Sequence, residues 1–381
     1  MYRLRVPHPS FLRSFYRYLL LCSLLLVSLG PGATPVWAGE LAVTFFDIGQ
    51  GDAALVVSPA GKRVLIDGGP PEGTQALLDG LAKRGIDRLD LIILSHPHLD
   101  HLGGLRKVVE KLPVAMYMDS GYESTSPPYN YLLKALATRG VQVVKATLGR
   151  NIDIGDGANL RLLAPPSPWL VNTRSDVNAN SVIVRLSWRG RSVLFSGDAE
   201  PEAEQWLLNQ YRNEPAALQA EVLKVPHHGG RFSSTAPFLA AVQPRLAVIS
   251  VAAVNDYHHP TPEAMARLQK VGAQLFRTDQ GGAITLRSRD GQPWKVESER
   301  PLPSATTAPA SPAQAQLPAP TPTPTPAPAP AAGFVGSSRT QVFHRADCPA
   351  GKQIVAANQV RWATRDEAIA SGRRPAEDCQ P

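Results

Sequence analysis

The chain has 381 residues, 43% of them hydrophobic, which is ample for a globular core and allows two domains or one large domain with appendages. Its formal net charge is +7, but the first 38 residues contain four arginines and no acidic residue, so the remainder carries 7 − 4 = +3. A net charge this small is weak evidence for a nucleic-acid partner.

Residues 1–38 have the organisation of a signal peptide. The arginine-bearing start is followed by the apolar run YLLLCSLLLVSLG and then by PVWAGE, with small residues at Val36 and Ala38. The apolar run is shorter than the roughly 20 residues that a spanning helix needs. We therefore predict cleavage after Ala38 and export to the periplasm or the cell exterior, with an uncleaved anchor as the alternative; no later segment predicts a membrane span.

Residues 39–300 alternate between strand and helix patterns. Ten apolar, β-branched runs predict strands: LAVTFFDI, RVLIDGG, LDLIILSH, VQVVKA, LRLLAP, SVIVRLSW, RSVLFSGD, EVLKVPHH, RLAVISVA and AITLRS. Five segments predict helices: TQALLDGLAKRG, YLLKALATRG, PEAEQWLLNQY, APFLAAV and TPEAMARLQKVG. The two adjoining runs around Arg189–Gly190 predict a hairpin. The whole predicts an α/β domain with extensive sheet.

The composition changes after residue 300. Residues 301–333 contain eleven prolines and no charged residue, so this segment cannot bury a core and is predicted to be a disordered or polyproline II linker. Residues 334–381 then form a unit of 48 residues, which is too small to rely on its core alone.

The segment SHPHLDHLGG follows an apolar strand and concentrates metal-ligand chemistry. His96 and His98 are two residues apart, and Asp100 and His101 follow at once. Imidazole nitrogens and a carboxylate oxygen suit Zn²⁺, Mn²⁺ or Fe²⁺. The pattern predicts a metal site at a strand end.

This segment resembles the H-x-H-x-D-H motif of the metallo-β-lactamase superfamily, residue for residue. VLIDGG resembles the first motif of that family, which implies that Asp67 orients a ligand histidine, and LFSGDAE resembles its metal-bridging aspartate, here Asp198. The resemblance implies an αββα sandwich of two packed mixed sheets flanked by helices. It also implies one or two divalent ions, zinc or manganese.

Six ordered blocks narrow the resemblance to the hydrolase domain of the DNA-uptake competence protein family called ComEC. They are FFDIGQGDAALVV, NANSVIVRL, VLFSGDAE, VLKVPHHGG, VISVAAVNDYHHPTPEAMARL and FRTDQGGAITL, within residues 41–288. The membrane-channel portion of that family is absent, so the resemblance implies a free-standing, secreted hydrolase domain.

The family pattern implies a role for each motif residue. His96 and His98 would hold the first metal, Asp100 and His101 the second, and Asp198 would lie between them. No histidine occurs between His101 and His227, so the usual third histidine of the first site is missing. Asn178 or Asn180 lies near the place from which a substitute carbonyl oxygen could come, and we predict Asn180 beside the ligands.

Two histidine pairs leave alternatives open. On a strand, adjacent residues point to opposite faces, so one of His227 and His228 would bind metal and the other face substrate. We predict His227 as the metal ligand and His228 as a catalytic residue. In NDYHHP, His259 matches the family's histidine and would be the last ligand or the proton donor to the leaving group, while His258 is a surface residue.

The predicted mechanism is attack by a metal-activated hydroxide on a phosphorus or carbonyl centre. Asp100 would orient that hydroxide. Ser233 and Ser234 would donate hydrogen bonds to a phosphate.

Residues 334–381 resemble the small zinc-binding domain of the Ada DNA-repair protein, through VFHRADC, ATRDEAIASGRRP and the last cysteine. The resemblance implies an α+β unit with three metal ligands: His344, Cys348 and Cys379. A tetrahedral zinc site needs a fourth ligand, and the family's cysteine is replaced by Ala376. A structural zinc completed by Glu377, Asp378 or water and a disulfide between Cys348 and Cys379 both remain open.

Three functions are weighed on this basis. The leading hypothesis is an exported metal-dependent phosphodiesterase, a nuclease acting on extracellular DNA. The second is hydrolysis of a cell-envelope phosphodiester or ester of the phosphocholine or teichoic-acid type, because fold alone does not set the substrate. The third is a surface binding protein with a secondary metal centre.

Overall fold

The computed structural model describes residues 39–302 and, near the carboxyl terminus, residues 333–337, 342–346, 348, 351–352, 354, 358–371 and 373–376. The predicted signal peptide and nearly all of the predicted linker lie outside the described residues. No described helix is long and apolar enough to cross a membrane. The described residues belong to two compact units, each treated by itself.

The first unit contains fifteen described strands, interleaved with helices. The strands are β1 (Glu40–Phe45), β2 (Ala54–Val57), β3 (Arg63–Ile66), β4 (Leu91–Ile93), β5 (Met116–Asp119), β6 (Gln142–Lys145), β7 (Asn151–Asp153), β8 (Asn159–Ala164), β9 (Ile183–Trp188), β10 (Arg191–Phe195), β11 (Val222–Lys224), β12 (Leu246–Ile249), β13 (Gln274–Arg277), β14 (Ile284–Arg289) and β15 (Lys295–Ser298). The α-helices are α1 (Thr74–Lys83), α2 (Leu99–Leu102), α3 (Leu105–Lys111), α4 (Pro127–Thr138), α5 (Asp176–Ala179), α6 (Pro201–Gln210), α7 (Ala236–Val242), α8 (Pro262–Lys270) and α9 (Thr278–Gly281).

Two mixed sheets organise this unit. One has eight strands in the order β15–β14–β1–β2–β3–β4–β5–β6, and the other has seven in the order β13–β12–β11–β10–β9–β8–β7. The pairs from β3 to β6 and from β10 to β13 are parallel, and the remaining pairs are antiparallel. Parallel neighbours end at the same edge of a sheet, so the loops after these strands meet there.

Three apolar clusters show how the layers pack. One lies between the sheets and joins side chains of β1 to side chains of β9 and β10, including the ring pair Phe45–Phe195, 5.9 Å between centroids. A second packs the first sheet against α1, α3 and α4, and a third packs the second sheet against α6 and α7. The predicted αββα sandwich is confirmed, and so is the hairpin: β9 and β10 are antiparallel and joined by Arg189 and Gly190, both with positive φ.

Trp188 is the largest fully buried side chain of the core between the sheets, and its Nε1 donates a hydrogen bond of 2.9 Å to the carbonyl oxygen of Asp156. We expect Trp188→Ala to lower the free energy of unfolding by about 3–5 kcal/mol, because it leaves a cavity. Trp188→Phe keeps most of the volume and should cost clearly less. Urea unfolding measures both, and equal losses would contradict this packing.

The carboxyl-terminal unit contains a four-stranded sheet and one helix among its described residues. The strands are β16 (Phe334–Ser337), β17 (Val342–Arg345), β18 (Gln359–Trp362) and β19 (Arg374–Pro375), in the order β18–β16–β17–β19; the helix is α10 (Arg365–Ala370). Phe343 is fully buried, and its ring contacts those of Phe334 and Trp362 at 5.8 and 6.3 Å. This is the small α+β unit expected from the sequence.

Candidate metal centre

Loops at one edge of the sandwich carry the candidate ligands. Asp67 follows β3, the histidine-rich segment follows β4, Asp198 follows β10, and the two adjacent histidines follow β11. These strands belong to the parallel parts of the two sheets, so their carboxyl ends bring the loops together.

Four side chains form a compact cluster at this edge: Asp100, His101, Asp198 and His228. One potential ligand atom from each lies within 4.8 Å of the others. The Nε2 atom of His101 lies 3.3 Å from Oδ2 of Asp198, and the Nε2 atom of His228 lies 3.2 Å from Oδ2 of Asp100. Nitrogen and carboxylate ligands at such separations suit a divalent cation.

The structure brings His228, and not the predicted His227, into this cluster. The predicted strand EVLKVPHH was wrong at its carboxyl end, since β11 stops at Lys224. Both histidines lie in a turn with left-handed backbone, φ 51° and 52°, so the alternation of faces along a strand does not apply to them. His228 is buried, whereas His227 is half-buried and lines the adjoining cavity.

The remaining predicted ligands lie beside Asp198. His96 is fully buried, and its Nε2 atom lies 3.8 Å from Oδ2 of Asp198 and 3.0 Å from Nδ1 of His98. The Nε2 atom of His227 is also 3.8 Å from that oxygen. His227 thus approaches Asp198 as closely as His96 does, although the sequence pattern gave no third histidine to the first site.

Asp67 lies behind the cluster and contacts the Nδ1 side of His101. Its Oδ2 atom lies 2.9 Å from Nδ1 of His101, and its Oδ1 atom accepts a hydrogen bond of 2.7 Å from the backbone N–H of Ser95. The Ser95 hydroxyl lies 3.0 Å from Nδ1 of His96. A carboxylate on the Nδ1 side of a histidine fixes which nitrogen is free to bind metal.

Asp52 and Lys224 also lie behind the cluster, and neither was predicted from the sequence. Both are buried and form an ion pair, and Oδ1 of Asp52 lies 3.5 Å from Nδ1 of His228. The backbone N–H of Asp52 donates to the carbonyl oxygen of Asp100, an approach that leaves no room for a Cβ at Gly51. Burial raises the pKa of Asp52, but Lys224 and His228 outweigh it and hold it at about 2. The sequence signal for this ion pair was the lysine within the apolar run VLKVP. A lysine buried in a strand needs a carboxylate partner, because an unpaired buried ammonium is costly.

The electrostatics of the cluster favour a cation. Burial lowers the pKa of His101, but Asp198, Asp100 and Asp67 outweigh it and raise the pKa well above its usual value. Burial raises the pKa of Asp198, but His101 and His228 outweigh it and hold the pKa well below its usual value. Nε2 of His101 and Oδ1 of Asp198 are buried without a hydrogen-bond partner among the described residues. Unpaired ligand atoms in a field of carboxylates fit a divalent metal ion.

A profile of the metallo-beta-lactamase superfamily matches residues 47–253, or 207 of the 381 residues. The chain belongs to the metallo-beta-lactamase superfamily. With its His/Asp cluster it is a metal-dependent hydrolase of this fold, and the family predicted from the sequence is confirmed.

This superfamily member is similar to two curated proteins. ComE operon protein 3 of Bacillus subtilis is 31% identical over 274 residues, covering 67% of this chain and 34% of that protein. Competence protein ComA of Neisseria gonorrhoeae is 32% identical over 259 residues, covering 68% and 33%. The chain thus spans about a third of the length of these relatives. Among solved structures, the metallo-beta-lactamase fold protein YhfI of Bacillus subtilis has a TM-score of 0.43 at 12% identity, covering 64% of this chain and 99% of that one.

A cleft beside the cluster gives room for a substrate. A cavity of about 330 Å³ is lined by cluster residues together with Gln50, Asn178, Tyr257 and His259, and a second of about 400 Å³ shares Gln50, Leu99, Asp100 and Tyr257 with it. Gln50 Nε2 and Asn178 Oδ1 are buried without a hydrogen-bond partner among the described residues.

His259 lies on the wall of this cleft, 5.3 Å from His227 between ring centroids. Burial and the neighbouring His227 and His228 lower its pKa to about 4. The ring is therefore neutral at neutral pH, and a neutral imidazole donates a hydrogen bond from one nitrogen and accepts at the other. His258 is exposed, as expected of a surface residue.

Three predicted residues lie away from the cleft. The side-chain amide of Asn180 is buried and hydrogen-bonds to the backbone of Leu170 and Asp176. Ser233 and Ser234 are fully buried and do not line either cavity. The structure therefore brings Asn178, Gln50 and Asp52 to the centre and leaves Asn180 and the two serines in supporting loops.

Glu204 fastens the loop that holds these serines. Its carboxylate accepts hydrogen bonds of 2.6 and 2.8 Å from the backbone N–H groups of Ser234 and Thr235, and burial raises its pKa from 4.5 to about 7. A raised pKa favours the protonated folded state, so the free energy of unfolding should fall by on the order of 3 kcal/mol as the pH rises from about 4.5 to about 7. Urea unfolding of Glu204→Gln in EDTA should lack this slope; an unchanged slope would assign the pH dependence to other groups.

In the carboxyl-terminal unit, Cys348 is disulfide-bonded. Cys379 lies outside the described residues, and His344 lies on β17. A sulfur atom in a disulfide is not a thiolate ligand, so the observed state of Cys348 is the one expected if the disulfide replaces the zinc site.

Proposed function

We propose that this metal-dependent hydrolase is an exported phosphodiesterase, a nuclease acting on extracellular DNA. The observation that carries the proposal is the cluster of Asp100, His101, Asp198 and His228 at the wall of an open cleft. The similarity of this domain to proteins named for competence supports DNA as the substrate, and the signal-like residues 1–38 support export.

Residues of the cleft contribute to hydrolysis in different roles. A divalent cation held by Asp100, His101, Asp198 and His228 would supply Lewis acidity and would lower the pKa of water toward neutral. Asp100, partly exposed and 3.2 Å from Nε2 of His228, orients the attacking water through its carboxylate. Gln50 and His259 donate hydrogen bonds to oxygens of the phosphoryl group, where charge develops in the transition state.

Features near the cleft suit a nucleotide. The guanidinium of Arg174 lies 3.6 Å from the ring centroid of the exposed Phe232 and 3.8 Å from Glu200. Glu200 in turn lies 3.4 Å from His227, which lines the cleft. The Arg174 guanidinium offers a partner for a phosphate group, and the exposed Phe232 ring offers a stacking surface for a nucleobase.

The direct test is cleavage of single- and double-stranded DNA, and of bis-p-nitrophenyl phosphate, by the purified protein with Mn²⁺ or Zn²⁺. We expect cleavage with metal and none after treatment with EDTA, with recovery when metal returns. No turnover of any of these substrates with either metal would contradict the proposal. A surface binding protein would instead retain ligand binding in Asp198→Asn and lose it when residues 301–381 are deleted.

One observation favours the second candidate, a phosphodiester that carries a cationic group of the phosphocholine type. The described residues that line the 400 Å³ cavity include Glu72, Asp256 and Tyr257 but no lysine or arginine. Acidic groups and an aromatic ring suit a quaternary ammonium rather than a further phosphate. Faster turnover of p-nitrophenyl phosphocholine than of DNA would select this function.

A further inference from the structure

The ion pair of Asp52 and Lys224 lies behind the cluster, where the Asp52 carboxylate approaches both His101 and His228. Lys224 is the last residue of the short strand β11, and Asp52 lies in the loop between β1 and β2. Both side chains are less than a tenth exposed. A buried ammonium is costly unless it is paired, and the described partner of this one is the Asp52 carboxylate.

The two carboxylate oxygens of Asp52 each face an Nδ1 atom, one on His228 and the other on His101. Oδ1 lies 3.5 Å from Nδ1 of His228, and Oδ2 lies 3.8 Å from Nδ1 of His101. Each ring turns its other nitrogen, Nε2, toward Asp198, at 3.7 Å for His228 and 3.3 Å for His101. Asp52 is thus placed behind both histidines of the cluster, on the side away from the ligand atoms.

Each ring has a second partner on the same side. Asp67 lies 2.9 Å from Nδ1 of His101, and the carbonyl oxygen of Ser250 lies 2.9 Å from Nδ1 of His228. On the Nδ1 side, Asp52 is a described group that lies near both rings. It therefore couples the orientation of one ring to that of the other.

Bulk water has no room to take the place of Lys224 beside the Asp52 carboxylate. The cavity bordered by Asp52, Asp67, Ser95 and Lys224 has a volume of about 10 Å³, which holds at most about one water molecule. Charges in such a place are weakly screened, so the position of Asp52 depends on its contact with Lys224.

We propose that Asp52 is a positioning residue: it holds the Nδ1 sides of His101 and His228, so that both rings present Nε2 to one cation. Lys224 anchors the Asp52 carboxylate in that place. The inference rests on the metal centre of the proposed function but not on its substrate, so it is tested by metal binding and not by turnover.

The test is the dissociation constant of Mn²⁺, measured by isothermal titration calorimetry on the purified full chain and on Asp52→Asn, Lys224→Met and the double variant. The double variant removes a pair of zero net charge, so it changes orientation with little change in the total charge. We expect it to bind Mn²⁺ about 10- to 100-fold more weakly than the unaltered chain, as for other residues that orient ligand histidines.

The single lysine variant separates positioning from charge. If Lys224 acted only through its charge, its removal would tighten cation binding, whereas loss of the anchor weakens it. We expect Lys224→Met to bind Mn²⁺ at least about tenfold more weakly. Tighter or unchanged binding by this variant, or unchanged binding by the double variant, would overturn the proposal.

Folding is monitored by thermal unfolding in EDTA. The matched control is Arg191→Met, which breaks the part-buried pair of Arg191 with Glu221 (2.8 Å) next to β11. It should lower stability without changing the Mn²⁺ affinity. If Lys224→Met does not fold, the Mn²⁺ affinity of the double variant, in which the net charge is unchanged, tests the proposal instead. If the unaltered chain binds no Mn²⁺, the metal centre itself is contradicted, which is a different result from loss of positioning.

Discussion

Replacing Asp198 by asparagine is expected to abolish metal binding at the cluster and hydrolysis with it. Its Oδ2 atom lies between 3.3 and 3.8 Å from the Nε2 atoms of His96, His101, His227 and His228, so this carboxylate approaches four candidate ligand nitrogens. A cation contributes several kcal/mol to transition-state stabilisation, which corresponds to a fall in kcat/KM of about 10³-fold or more. Metal content and turnover of bis-p-nitrophenyl phosphate measure the two effects.

Asp119→Asn is the matched control for this substitution. Asp119 is also a buried aspartate at a strand end, but it accepts hydrogen bonds from the hydroxyls of Tyr117 and Tyr129 and does not belong to the cluster. It should lower stability while the metal content stays unchanged. Equal metal content in Asp198→Asn and Asp119→Asn would contradict the assignment of Asp198.

The two adjacent histidines are expected to respond differently to alanine. His228→Ala removes a buried ring from the cluster, so Mn²⁺ binding should weaken by more than about 10²-fold, beyond the 10- to 100-fold typical of a residue that only orients a ligand. His227→Ala leaves all four cluster residues in place, and the cation of the cluster should bind within about tenfold of its original affinity. Calorimetric titration of the two variants makes the comparison.

Each variant serves as the control for the other, since both change the same short turn. His228→Ala also loses the contact with the Ser250 carbonyl oxygen, so folding is checked by thermal unfolding in EDTA. A larger loss of metal in His227→Ala than in His228→Ala would reverse the assignment and restore the ligand predicted from the sequence.

Much of the fold and the position of the centre followed from local patterns. The apolar runs that end in polar loops located most strands, and the spacing of His96, His98, Asp100 and His101 located the metal site. Strands β2, β5, β7, β13 and β15 were not among the ten predicted. β7 and β15 are short and flanked by polar residues, and β2 lies inside a glycine-containing block that reads as a loop. Their pairing depends on neighbouring strands rather than on their own periodicity.

The arrangement within the centre depended on features that a sequence pattern does not carry. The choice between His227 and His228 depends on two residues with left-handed backbone, which a strand pattern cannot indicate. The role of Asp52 depends on a contact with Lys224, 172 positions away, that forms only when β11 and the loop after β1 meet. Such long-range contacts are set by the packing of the two sheets.

The cluster of Asp100, His101, Asp198 and His228 is expected to bind a divalent cation that hydrolysis requires. The most direct test measures bound metal and bis-p-nitrophenyl phosphate turnover on one sample, before and after EDTA and after return of Mn²⁺ or Zn²⁺. We expect at least one bound cation per chain, with metal and turnover lost together and recovered together. Turnover that persists at full rate in the metal-free protein would contradict this expectation.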